Sequence, residues 1–202
     1  MIDAKQVMEL RELTGAGIVD AKQALVEAGG DKEKALEILK KKGAAKAAKK
    51  SSERQTSEGV VASYIHHTKK LGAMVELQCE TDFVARNEEF QQLANDLAMQ
   101  VAAIDPLYVS PETVPMNELE KQREIFKAEL VEEYKPEEIK AKIIEGKMNK
   151  WYSEVCLLKQ PFFKDEDKTV EGLINEKIAK IGEKIVVVRF ARYVMSPPEK
   201  IC

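Results

Sequence analysis

Apolar residues recur in three short helical stripes at the start of the chain. Val7, Leu10 and Leu13 set the first, which Thr14-Gly15-Ala16-Gly17 interrupts. Asp20 to Ala28 carries the second as far as Gly29-Gly30. Asp31 then caps a third, whose Ala35, Leu36, Ile38 and Leu39 run towards Gly43. Residues 40–58 change character: Lys40-Lys41-Lys42, Ala44-Ala45 and Lys49-Lys50-Ser51-Ser52 read as a solvated basic linker or a frayed helical extension. From Gly59 the pattern turns to strands. Gly59 to His67 and Leu71 to Cys79 predict a hairpin joined by Thr68-Lys69-Lys70.

Two helix starts follow the hairpin. Asp82 caps a short turn at 82–86, and Asn87 with Glu88 and Glu89 opens the main helix. Its stripe is Phe90, Leu93, Leu97, Val101 and Ile104, ended by Asp105-Pro106. A proline-punctuated loop runs to about Glu118. Leu119, Arg123, Phe126 and Leu130 predict a helix up to Lys135-Pro136, and Ile139, Ile143 and Met148 another that reaches Trp151 and Tyr152. Gln160-Pro161-Phe162-Phe163 is extended. Val170, Leu173, Ile174, Ile178 and Ile181 form a last helical stripe closed by Gly182. Ile185 to Val194 is a third strand, nearly continuous in apolar residues, so it reads as central or covered on both faces. The predicted class is α+β. A three-helix module spans residues 1–42 and a linker 43–58; a small, mainly antiparallel three-stranded sheet with packed helices spans 59–202.

Phe83 has two readings. Seven residues separate it from Phe90, so one uninterrupted helix would align both in the core stripe. Two separate starts would instead hold it on a rigid bend between strand and helix, where sites are often built.

Composition narrows the classes. The chain has 202 residues, 44% hydrophobic and 33% charged, with a net charge of −3 from interspersed acids and bases. That balance is ordinary for a soluble protein and argues against a dedicated nucleic-acid binder. No apolar run approaches a membrane span, and Met1-Ile2-Asp3-Ala4-Lys5 is too polar for a signal peptide, so a cytoplasmic location is expected. Three cysteines, Cys79, Cys156 and Cys202, lack pairing or metal spacing and are expected as thiols.

The sharpest enzymatic possibility is a cysteine hydrolase built from Cys79, His66 or His67, and Asp82. A hairpin turning at Lys69-Lys70 sets Cys79 opposite Val60, which leaves His66 roughly 20 Å away at about 3.3 Å per residue. The same distance removes a His-His-Cys metal site. Adjacent histidines on a strand also point to opposite faces. Gly15-Ala16-Gly17 follows no strand and lacks the third glycine of a dinucleotide fingerprint, and no phosphate loop occurs. No cofactor or metal is expected.

Two long runs carry a resemblance. Arg11-Glu12-Leu13-Thr14-Gly15-Ala16-Gly17-Ile18-Val19-Asp20-Ala21-Lys22 and Cys79-Glu80-Thr81-Asp82-Phe83-Val84-Ala85-Arg86-Asn87-Glu88-Glu89-Phe90 resemble the bacterial elongation factor Ts family over nearly the whole chain. The three-helix start is similar to the ubiquitin-associated-like module that opens that family. The resemblance implies a guanine-nucleotide exchange factor, without an active site of its own, for the GTPase elongation factor Tu. It assigns displacement of the partner's Mg²⁺ site to Thr81, Asp82, Phe83 and Val84; within that motif Phe83 is expected as a wedge between partner side chains, and Asp82 to orient the turn, contact partner backbone or compete for the ion. It assigns a grip on the partner's nucleotide domain to Arg11, Leu13, Thr14, Gly15, Gly17, Ile18 and Val19. Ile18 and Val19 are on their own terms either exposed or part of the module's core. Ser63-Tyr64-Ile65-His66 matches a segment that approaches the partner, with Tyr64 and His66 as contacts, although an ordinary half-buried strand explains it equally. Larger family members carry a second core subdomain. This chain has room for one, which implies a homodimer in a two-plus-two assembly. A peptide-binding adaptor built on the N-terminal module is the rival reading, and it leaves residues 79–90 unexplained.

Overall fold

The computed structural model describes residues 3–39, 41–42, 55–130 and 136–195. Helix α1 (Ala4–Thr14) opens on a reciprocal cap: the Lys5 N–H donates to Asp3, and the Asp3 N–H donates to Gln6 Oε1. It closes on Gly15 at φ 67°, a left-handed conformation that glycine adopts without strain. Helix α2 (Ile18–Glu27) starts after Gly17, two residues ahead of the expected Asp20. Asp31 Oδ1 accepts the amides of Glu33 and Lys34 and so starts α3, helical over 32–39. Val7, Leu10, Ala21, Ala24, Leu25, Ala35 and Leu39 close a small core among the three. Leu13 departs from its expected stripe. It lies in the last turn of α1 and is 63% exposed. Most of the basic stretch read as a linker lies outside the described residues, and regular structure resumes at Glu58.

Strands β1 (Glu58–Ile65), β2 (Leu71–Cys79) and β5 (Val186–Val194) form one sheet in the order β1-β2-β5. The His66 N–H donates to the Leu71 carbonyl and closes the hairpin. The Met195 N–H donates to Lys70 O at one end of β2, and the Lys184 N–H to the Glu80 carboxylate at the other, so β5 runs antiparallel to β2. Alternate residues Ala73, Val75, Leu77 and Cys79 are buried, as a central strand requires. Gly59 permits close approach of the first two strands: a Cβ there would stand 2.8 Å from Gln78 Cα and collide with the Leu77 carbonyl.

β5 corrects the reading of a central or doubly covered strand. It is an edge, and only Val187 within it is buried, while Val188, Tyr193 and Val194 are exposed. Its apolar run reflects β-propensity rather than burial on two faces. Arg189 and Arg192 already break that run. Arg192 donates from Nε to the Ala102 carbonyl at 3.1 Å and pairs with Asp105 at 2.9 Å, placing a cation at the C-terminal end of the helix that closes at Ile104.

The short α4 (Asp82–Ala85) and long α5 (Glu88–Ile104) are separate helices. Phe90, Leu93, Leu97 and Val101 are buried as expected, but Ile104 is exposed at the helix end. Helix α6 (Met116–Glu129) pairs with α7 (Glu137–Val155), and Lys147 covers the Phe126 ring. β3 (Pro161–Phe162) pairs with β4 (Asp165–Thr169), whose charged sequence gave no strand signal. Helix α8 (Val170–Ile181) precedes β5. Gln100 and Gln160, both fully buried, satisfy each other: Gln100 Nε2 donates to Gln160 Oε1 and Pro161 O, and Gln100 Oε1 accepts the Phe163 amide.

By contact density the chain divides into two compact units. Among the described residues, one holds those up to 62 with 76–94 and 172–187; the other holds 63–75, those within 95–171, and 188–195.

Candidate functional site

The first unit contains both long motifs. At the C-terminal end of β2, Thr81 turns the chain with φ −126° and ψ 156°. Its hydroxyl oxygen accepts the Val84 N–H and caps α4. The expected cap, Asp82, stands one residue later in the first turn, where it pairs with Arg86 at 3.2 Å. Asn87 does cap as expected, with Oδ1 accepting the Glu89 amide at 2.8 Å. The break at residues 86–87 prevents the single helix that would have buried Phe83. Phe83 is 83% exposed, whereas Phe90 has no exposed surface.

What holds this turn comes from far along the chain. Glu183 Oε2 accepts the amides of Glu80 and Thr81 at 3.2 and 3.1 Å, and Oε1 accepts the Thr81 hydroxyl at 2.7 Å. Just beyond, the first turn of α5 is tied to α8, because Glu89 pairs with Lys180 and, at 3.5 Å, with Lys177. The Lys180 bond is the main reason the Glu89 carboxyl titrates below the usual range.

The N-terminal motif is displayed rather than packed. Arg11, Leu13, Gly15, Gly17, Ile18 and Val19 are exposed, and Val19 reaches 77%. Of the two readings for Ile18 and Val19, the structure selects exposure. Thr14 is half-buried. It donates its hydroxyl to Leu10 O at 2.7 Å and accepts the Ala16 amide, so it shapes the turn. A Cβ on Gly15 would sit 3.1 Å from Lys180 Cγ, so the lysine stem lies directly over this glycine. Both motifs therefore touch the C-terminal end of α8.

Tyr64 and His66 belong to the other unit. Tyr64 is half-buried, and its ring meets His66 edge-on at 6.5 Å. His66 Nδ1 lies 2.8 Å from Thr68 Oγ1. The expectation that His66 and His67 point to opposite faces is overturned. β1 ends at Ile65, the two-residue period lapses in the turn, and the imidazole rings approach to 4.0 Å. No group of three or more His, Cys, Asp or Glu among the described residues is placed to hold a metal ion. No helix among them is long and apolar enough to cross a membrane.

Cys79 is unsuited to nucleophilic work. The hairpin closure at His66 and Leu71 carries its register to place Cys79 opposite Glu58 rather than Val60, which moves it further from His66. Its thiol donates to Thr81 O, and burial, reinforced by the Glu183 charge, pushes its pKa up to about 11. Burial does the same to Cys156, also to about 11. At pH 7.5 the thiolate fraction is then roughly 300-fold below that of an ordinary cysteine. Iodoacetamide applied to the native protein at that pH is expected to spare both residues for as long as denatured chains take to react fully. Prompt labelling of Cys79, read by peptide mass spectrometry, would contradict its burial.

Glu183 is the residue that sequence reasoning missed. It follows a helix-ending glycine, a position that gives no local sign of a partner 102 residues away.

A sequence model of the family described as Elongation factor TS matches residues 33–197. A protein named Elongation factor Ts from Thermosipho melanesiensis is 56% identical over 193 residues, covering 96% of this chain and 98% of its own length. Its namesakes from Desulforamulus reducens and Moorella thermoacetica are 57% and 56% identical, over 96% of this chain and 89% and 95% of theirs. Matched over 96% of its length, the chain belongs to the elongation factor Ts family of translation elongation factors.

Proposed function

We propose that this protein is a guanine-nucleotide exchange factor that binds elongation factor Tu–GDP and promotes release of GDP. The observation that carries the reading is Phe83, a large apolar side chain left 83% exposed on a turn whose base is hydrogen-bonded from elsewhere in the fold. An exposed aromatic on a braced turn suits insertion into a partner. A GTPase holds its nucleotide through a phosphate loop and a bridging Mg²⁺, so a wedge that disturbs either loosens it. By reciprocity, a factor that binds the empty partner more tightly weakens nucleotide binding by the same ratio. Phe83 supplies the wedge, Asp82 orients the turn, and Thr81 and Val84 border it. Arg11, Leu13 and the turn from Thr14 to Val19 supply the grip, and Tyr64 and His66 a further contact. The three N-terminal helices act as the gripping module and the remainder as the core. The reading needs no cofactor, chemical step, nucleic acid or membrane, and it places the protein in the cytoplasm.

The test is release of fluorescent GDP from elongation factor Tu, chased with excess unlabelled nucleotide. Substoichiometric protein is expected to accelerate release over many turnovers. Absence of acceleration would overturn the reading.

A homodimer is part of the same proposal. One end of the sheet exposes Ile65, Met74, Tyr193, Val194 and Met195 around a shallow apolar depression, beside the edge strand β5. Light scattering at micromolar concentration is expected to give twice the chain mass. A monomeric mass with full exchange activity would contradict it.

A further inference from the structure

We propose that Glu183 is a positioning residue for exchange: it fixes the turn that presents Phe83, and this inference rests on the exchange-factor reading. Phe83 is too exposed to be oriented by packing, so its direction is set by the backbone beneath it. The Asp82–Arg86 pair lies within the turn and is open to solvent, with 81% of the Arg86 side chain exposed, so it contributes little stiffness. On its C-terminal side the turn is held by its sequence neighbours, with Gln91 Nε2 donating to the Ala85 carbonyl at 3.3 Å; the groups that tie it to a distant part of the chain lie on its N-terminal side. There a single carboxylate takes three donors, the amides of Glu80 and Thr81 and the Thr81 hydroxyl.

The hydroxyl bond matters most. Thr81 has one hydroxyl proton, and it points to Glu183. The oxygen is then left with only lone pairs to offer the Val84 N–H. Glu183 thereby sets the polarity of the cap that starts α4, two residues before Phe83. The brace is reciprocal: the next residue, Lys184, donates its amide to the Glu80 carboxylate at 2.6 Å. Residues 80–81 and 183–184 thus clasp each other across the chain. Cys79 adds a weak thiol bond to Thr81 O on the same side.

The kinetic signature of such a residue is specific. A wedge on a loose base docks but must lose its freedom before it can displace anything, so maximal rate suffers more than binding. The N-terminal grip stays intact. Glu183→Ala removes both acceptor oxygens and with them all three hydrogen bonds, and Glu183→Gln keeps the shape but turns an NH₂ towards one set of donors.

The experiment titrates the wild type and both variants against elongation factor Tu carrying fluorescent GDP, and follows amide hydrogen exchange at Glu80 and Thr81. In Glu183→Ala the maximal release rate is expected to fall at least fivefold and the half-saturating concentration to change less than threefold, with Glu183→Gln intermediate. Both amides are expected to exchange faster while the buried α5 amides stay protected. Equal maximal rates despite freed amides would overturn the proposal and leave the exchange reading standing. A loss tracking general loss of α5 protection would also overturn it, by showing a purely structural role. A wild-type protein that releases no nucleotide would overturn the exchange reading and this proposal together.

Discussion

Replacing Phe83 by alanine is expected to lower maximal nucleotide release at least tenfold while the fold stays intact. The side chain is 83% exposed in the free protein, so truncation opens no cavity. Surface changes of this kind stay within about 0.5 kcal/mol. Against a partner the balance reverses, because an aromatic anchor driven into a pocket is commonly worth about 2 kcal/mol or more, a factor of roughly 30. Urea denaturation and the GDP-release assay, run on the same preparation, separate the two effects. Lost stability matching lost activity would make Phe83 a packing residue, and unchanged exchange would move the wedge elsewhere.

Phe90→Ala is expected to do the opposite. Phe90 has no accessible surface and lies on the inward face of α5, near Leu93 and Ala94 in sequence and equally enclosed. Removing a buried phenylalanine costs about 3–5 kcal/mol through lost transfer energy and the cavity left behind. A protein of this size is stable by about 5–15 kcal/mol in total, so the variant loses a large part of its margin. Its melting temperature should fall by roughly 6–20 °C. A shift under about 2 °C would mean the site collapses around the gap and that the core is softer than its burial suggests. Any chain that remains folded should still exchange nucleotide, since Phe90 presents nothing to a partner.

These two phenylalanines show where local reading works. The Asn87 cap and the stripe from Phe90 to Val101 are legible because both depend on residues within a few turns. Asp31 and the β1–β2 hairpin are legible for the same reason. Phe83 was ambiguous because a spacing of seven fits one helix, and only the turn at residues 86–87 breaks the alignment. Exposure of Leu13 and the edge position of β5 depend on what packs against them, which periodicity does not encode. The approach of His66 to His67 turned on where a strand stops, the least legible boundary of all. The brace on Thr81 had no local signature, because its donors and acceptor lie 102 residues apart.

The end of α8 has a mechanical consequence. Lys180 lies over Gly15, and Glu183, three positions on, holds Thr81. The Gly15 turn and the Phe83 turn are thus mounted on one short piece of chain and share a common reference point. If both press on the same GTPase, α8 acts as the body of a calliper whose jaws are the Gly15 turn and the Phe83 turn. The gap it is built to span is then a dimension of the partner. Substitutions that leave both jaws untouched but shift this body would change which partners fit between them.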